Sequence, residues 1–96
     1  MKELLGNFQN VEQFEGKNGA VKNQFIIQTD KGLVFQSYSS VIAAKIGCKV
    51  YLDAKKWDYS VTTGKYRNQF LRETKKETEN KIKTGQYILT DLIEHL

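Results

Sequence analysis

The densest group of side chains able to bind a ligand lies in residues 55–70, KKWDYSVTTGKYRNQF. This segment holds the only tryptophan, two of the five tyrosines and four of the fifteen basic residues. Aromatic rings interleaved with Lys and Arg occur on surfaces that stack bases while neutralising phosphates. They also occur where a hydrophobic anchor carries a charged rim, and the residue types alone leave both interpretations open.

Basic residues continue beyond this segment. Between Lys55 and Lys76 there are seven basic and two acidic residues, a local charge of +5 (7 − 2). Such an excess favours contact with phosphates. The candidate ligand-binding residues, with the two aromatic ones as candidates for stacking, are Lys56, Trp57, Tyr59, Lys65, Arg67, Arg72 and Lys75. The competing interpretation is that the aromatic side chains pack on a sheet and the cations form a solvated rim.

No catalytic or metal-binding motif is recognisable. The single cysteine, Cys48, and the single histidine, His95, are far apart in sequence, whereas a catalytic thiol needs a neighbouring general base. A metal site needs several converging ligands, and TTGK at 62–65 has too few glycines for a phosphate-binding loop. We therefore expect a non-enzymatic protein that uses no metal and no cofactor.

Length and composition indicate one globular domain, residues 1–96, with residues 1–5 and 91–96 frayed. The chain has 96 residues, of which 40% are hydrophobic and 27% charged. It contains no apolar run long enough to cross a membrane and no recognisable signal peptide. These features predict a cytoplasmic protein without a membrane partner, and they leave its oligomeric state open.

The first half has the pattern of strands. Apolar and polar residues alternate in VKNQFIIQT, and similar segments precede and follow it. Turn residues at 16–19 and at 30–32 separate these segments, with Gly32 placed to adopt a positive φ. Residues 41–44 fit either a buried strand or one helical turn, and residues 49–53 fit a short strand. This half therefore predicts an antiparallel meander.

The second half changes to helical spacing. A helix begins either at Ser60 or after Gly64, and a second begins at Thr74, which has capping-box spacing to Glu77. Gly85 is placed to end it, and residues 86–90 fit a returning strand. The predicted fold class is α+β, a small antiparallel sheet with one or two C-terminal-half helices packed on it. Its predicted core contains Phe25, Ile27, Phe35, Leu52 and Phe70.

Three phrases of the sequence, FQSYSSVIAAKI, KVYLDAKKWDYSVTTGKYRNQFL and ETKKETENKIKTGQYILTDL, carry a resemblance. They resemble small uncharacterised proteins encoded by phages and mobile elements of low-GC Gram-positive bacteria, over about residues 33–90. The resemblance implies a phage or plasmid origin and residence in the host-cell cytoplasm. It brings no activity and no site residue with it.

Two functions from different classes follow from these observations. We favour nucleic-acid binding through residues 55–76, because the positive excess there is larger than the core of a protein interface needs. The alternative is an inhibitor of a host defence or regulatory protein. Trp, Tyr and Arg are the usual hot spots of such interfaces, so Trp57, Tyr59 and Arg67 would serve there too.

Overall fold

The computed structural model describes residues 4–16 and 19–92, which form a six-stranded sheet and two helices. In chain order these are β1 (Phe8–Gly16), β2 (Gly19–Thr29), β3 (Gly32–Ser37), β4 (Ser40–Ile46), β5 (Lys49–Asp53), α1 (Val61–Leu71), α2 (Lys75–Lys83) and β6 (Tyr87–Thr90). The predicted α+β class is confirmed. Residues 41–44 are strand, and residues 17 and 18 of the predicted hairpin loop lie outside the described part.

The strands lie in sequence order across the sheet. Strands β1 to β5 are an antiparallel meander, as predicted, while β6 runs parallel to β5 with Val50 opposite Tyr87. Parallel neighbours need a crossover connection, and α1 and α2 provide it. The two helices therefore lie on one face of the sheet, between the meander and its last strand.

The larger core lies between the sheet and the helices, and its centre is aromatic. Phe70 of α1 stacks on Phe35 of β3 with ring centres 5.8 Å apart. Phe14 of β1 meets Phe35 edge-on at 5.3 Å and Tyr66 of α1 at 5.5 Å. Since a fully buried Phe side chain contributes about 1.5–3 kcal/mol, this cluster fixes α1 on the sheet.

A smaller core covers the opposite face of the sheet and includes residues from both ends of the described chain. Leu5 and Leu92 are fully buried there against Ile27 and Val34. These two residues are packed although the sequence predicts frayed ends. Of those predicted ends, residues 1–3 and 93–96 lie outside the described residues.

Four of the five predicted core residues are buried, namely Ile27, Phe35, Leu52 and Phe70. Phe25 is only half-buried. It alternates with Ile26 and so points away from the helices, and its neighbours across the sheet are Gln13 and Gln36. It has no apolar partner across either neighbouring strand and belongs to neither core.

Both helix starts follow side-chain caps. Ser60 Oγ accepts a hydrogen bond from the N–H of Thr63 at 3.1 Å, so α1 begins at Val61. The alternative start after Gly64 is wrong, because Thr63 lies inside the helix and its hydroxyl meets that of Ser37 at 2.9 Å in the core. The predicted capping box of α2 is confirmed, and α2 ends at Lys83 with Gly85 at a φ of 80°.

Gly32 is required for a different reason from the predicted one. It does not adopt a positive φ. A Cβ at this position would overlap the backbone carbonyl oxygen of Lys45 on β4. Glycine is needed because β3 and β4 approach each other closely where they begin to pair.

Candidate functional site

The connection between β5 and α1 is held by one buried carboxylate, Asp53. Its Oδ2 accepts hydrogen bonds from the backbone N–H groups of Lys55 (3.2 Å) and Lys56 (2.9 Å). Its Oδ1 accepts from the N–H of Leu92 at 2.9 Å. Asp53 thus fixes the turn that presents Lys56 and the following aromatic residues. Sequence reasoning missed this role, since an Asp at the end of a strand is common.

Arg67 is buried in the protein, contrary to its predicted place on the ligand-binding surface. Its side chain is 1% exposed. The guanidinium donates to the backbone oxygen of Trp57 (2.8 Å), to Asp58 Oδ1 (3.0 Å) and to Asn68 Oδ1 (2.9 Å). With its terminal nitrogens occupied and shielded from solvent, Arg67 cannot contact a phosphate from outside. It holds the β5–α1 connection on α1.

The two aromatic candidates for base stacking have different surroundings. Trp57 is half-buried, packs against the larger core, and has the Arg67 guanidinium 5.1 Å from its ring centre. Trp57 is therefore an anchor, as the competing interpretation held, and not a stacking surface. Tyr59 is 42% exposed, and Lys56 Nζ lies 5.0 Å from its ring centre. Of the two, Tyr59 is the ring that a base could reach.

Asp58 links the β5–α1 connection, where it lies, to α1 and to α2. Besides Arg67, it binds Lys75 at the start of α2, with Nζ 2.8 Å from Oδ2. Partial burial alone would raise the Asp58 pKa, but the hydrogen bonds from Lys75 and Arg67 outweigh it and hold this pKa below its ordinary value. The hydrogen bond to Asp58 raises the pKa of Lys75 in return. Asp58 is thus ionised at neutral pH and already neutralised by two cations.

Lys65 and Arg72 are exposed on the same side of α1. They lie seven residues apart, which is about two helical turns or roughly 10 Å along the axis. Arg72 ends the helix in a left-handed conformation, with a φ of 57° and its N–H bonded to the oxygen of Asn68. Neither side chain forms an ion pair with any described residue. Both cations are therefore available to a ligand.

A shallow groove of about 610 Å³ opens between the start of α1 and the start of α2. Its lining residues on α1 and its cap are Ser60, Val61, Gly64, Lys65 and Asn68, and on the other side Asp58 and Lys75. Val61 is 92% exposed beside it. The first turn of α1 carries no acidic residue. Groove and exposed cations together make this part of the molecule a polar, positively charged surface.

A second polar cluster stabilises the structure at the other end of α1. The nearly buried Glu73 carboxylate accepts hydrogen bonds from Lys81 Nζ (2.6 Å) and the Tyr87 hydroxyl (2.8 Å). Burial would raise the Glu73 pKa, but its hydrogen bonds outweigh burial and hold this pKa below its ordinary value. Burial together with the bond to Glu73 raises the pKa of Tyr87. Glu73 ties the α1–α2 connection to β6.

Within residues 4–16 and 19–92, no three His, Cys, Asp or Glu side chains are grouped to hold a metal ion. None of the helices in the same ranges has the length and hydropathy to span a bilayer. Cys48 is a free, exposed thiol in the β4–β5 turn.

Residues 7–86 match a family of unknown function, DUF8033. The match covers most of the chain, and the protein therefore belongs to this family. No curated protein and no solved structure matches the chain. The case for a function accordingly depends on the geometry and charge of the site.

Proposed function

We propose that this protein binds nucleic acid through the cations of residues 55–76 that form no ion pair, without catalysing a reaction. Five cations of this segment have no ion-pair partner among the described residues: Lys55, Lys56, Lys65, Arg72 and Lys76. We call this set the basic surface. Both acidic residues of the segment are already paired with other cations, Asp58 with Arg67 and Lys75, and Glu73 with Lys81. This unopposed positive charge is the observation that carries the proposal.

Three residues of the basic surface, Lys56, Lys65 and Arg72, have distinct parts in the proposed complex. Lys65 and Arg72 contact phosphates along one side of α1. Tyr59 stacks on a base, with Lys56 beside its ring to contact the adjoining phosphate. Lys75 contributes its charge from the groove, while Arg67 and Trp57 support the turn that carries Tyr59.

The test is the salt dependence of oligonucleotide binding, measured by fluorescence anisotropy with single-stranded and duplex probes. A triple variant, Lys56→Ala, Lys65→Ala and Arg72→Ala, should bind more weakly and with a shallower slope of log K against log salt. Each lost phosphate contact lowers the slope by about 0.9 for duplex and about 0.7 for single strands. Because these side chains form no described ion pair, the variant should stay folded.

The matched control removes three exposed lysines outside residues 55–76, namely Lys22, Lys49 and Lys83. Its net charge changes equally, so any purely global electrostatic effect appears in both variants. Equal weakening in the two triple variants would refute binding by the basic surface. Absence of binding by the parent protein to either probe at low salt would refute the nucleic-acid proposal as a whole.

A second candidate function is inhibition of a host defence or regulatory protein. The exposed Tyr59 and Val61 side chains lie two residues apart beside the groove and favour a protein contact, because Tyr is a frequent hot-spot residue and Val61 is apolar. Such binding would change little with salt, and a pull-down from host lysate would survive nuclease treatment. A phage or mobile-element origin and a cytoplasmic location belong to both proposals, supported by the sequence resemblance.

A further inference from the structure

Gly64 lies inside α1, where glycine is less favourable than alanine. A Cβ at this position would lie 3.6 Å and 3.8 Å from the two terminal nitrogens of Arg67 and 3.8 Å from Asp58 Oδ1, which are ordinary van der Waals distances. Its φ is not in the left-handed region that favours glycine. In contrast to Gly32, the packing of the chain does not require glycine here.

What the missing Cβ does is keep the bottom of the groove open. Gly64 is buried and also lines the groove, so it forms part of the floor. Without a side chain, the helix backbone can be approached closely by whatever occupies the groove. A methyl group at this point would stand between an occupant and the backbone.

The groups around this floor are mostly hydrogen-bond donors. Asn68 uses its side-chain oxygen to accept from Arg67, which leaves its amide NH₂ as the free end. Ser60 accepts from the N–H of Thr63, so its own hydroxyl hydrogen remains available. Lys65 and Lys75 add two ammonium groups on the rim. No described residue accepts from the Asn68 amide or the Ser60 hydroxyl.

The charge of the groove favours an anion in spite of Asp58. Of the lining residues, Lys65 and Lys75 against Asp58 leave +1 (2 − 1). Both oxygens of Asp58 already accept from cations, one from Arg67 and one from Lys75. The chemistry that suits several side-chain donors, a net positive charge and a floor without a side chain is that of a phosphate group.

We infer that the groove seats one phosphate group of the nucleic acid against the backbone at Gly64, with Lys65, Lys75, Ser60 and Asn68 as its hydrogen-bond donors. This inference rests on the proposed function and assigns a defined subsite within it. The volume of about 610 Å³ also leaves room for the attached sugar.

The decisive variant is Gly64→Ala, which separates stability from binding. Alanine should raise the melting temperature by about 2–8 °C, because it is the better helix former and meets no clash. The same methyl group should weaken oligonucleotide binding about tenfold by obstructing a charge-assisted contact. Asn80→Ala, an exposed change on α2 outside the groove and outside residues 55–76, is the control and should leave binding unchanged.

A second measurement does not depend on how the variant folds. Titrating the ¹⁵N-labelled parent with inorganic phosphate, and separately with an oligonucleotide, should shift the amide resonances of Val61, Gly64 and Lys65 before those of β1 and β2. If the parent binds the oligonucleotide but these amides do not move and Gly64→Ala binds equally well, the groove subsite is refuted while the proposed function stands. Shifts with inorganic phosphate alone would assign the groove to a small phosphate ester and refute the nucleic-acid assignment.

Discussion

Replacing Arg67 by alanine should destabilise the fold, although arginine on a basic helix looks replaceable. Removing one partner of a buried ion pair costs about 3–5 kcal/mol. Asp58 would still be paired with Lys75, and its side chain is 29% exposed. Leaving Asp58 without Arg67 therefore costs less than leaving a fully buried carboxylate unpaired. The backbone oxygen of Trp57 and the Asn68 side chain would each lose a charged donor. We therefore expect the lower end, about 3 kcal/mol, from an unfolding free energy of about 5–15 kcal/mol.

Trp57 provides the assay, because it is the only tryptophan and its ring contacts the Arg67 guanidinium. Thermal unfolding followed by its fluorescence should show a melting temperature lowered by about 12–24 °C for Arg67→Ala. Urea unfolding followed in the same way should show a lower midpoint concentration of urea. Lys65→Ala, an exposed cation on the same helix, is the control and should change stability by less than about 0.5 kcal/mol. A melting temperature of Arg67→Ala within about 3 °C of the parent would refute the structural role of this arginine.

Two further predictions concern the core and the response to acid. Phe70→Ala should cost about 3–5 kcal/mol in urea unfolding, because Phe70 stacks on Phe35 and lies beneath Lys45; an unchanged midpoint would mean that α1 packs by another face. Asp58 and Glu73 have folded-state pKa values below their ordinary 3.8 and 4.5. The stability that they add is therefore complete above pH about 5 and is lost as the pH falls below the ordinary pKa values and through the lower folded-state ones. Glu73→Gln should make the acid loss of melting temperature smaller; the same loss in parent and variant would contradict this.

The elements that sequence reasoning placed correctly are those with local signals. The alternation in β2 and the spacing from Thr74 to Glu77 depend on residues that are neighbours in the chain. Tertiary contacts change the remaining boundaries. Ser60 is a local signal for the start of α1 at Val61. The alternative start after Gly64 is excluded by the contact of Thr63 with Ser37, 26 residues away, which no local pattern contains.

The features that sequence reasoning missed depend on the side of a helix or sheet on which a residue lies. The charge of Arg67 predicts a surface position, yet Arg67 follows Thr63 by four residues and precedes Phe70 by three, which places it on the buried face of α1. That spacing was the available signal. The parallel pairing of β6 with β5 and the burial of Leu92 had no comparable signal, because both depend on how far the two helices carry the chain across the sheet.

The same arginine limits how the basic surface can be tested. A Lys65→Ala, Arg67→Ala double variant would remove one exposed cation and one internal support, so weaker binding by it would not separate lost phosphate contact from lost structure. Lys65→Ala with Arg72→Ala avoids this ambiguity, because both side chains lie on the exposed side of α1 and neither has a described ion pair. A salt slope reduced more in that pair than in a control variant of equal net charge, with an unchanged melting temperature, identifies charges that face the ligand.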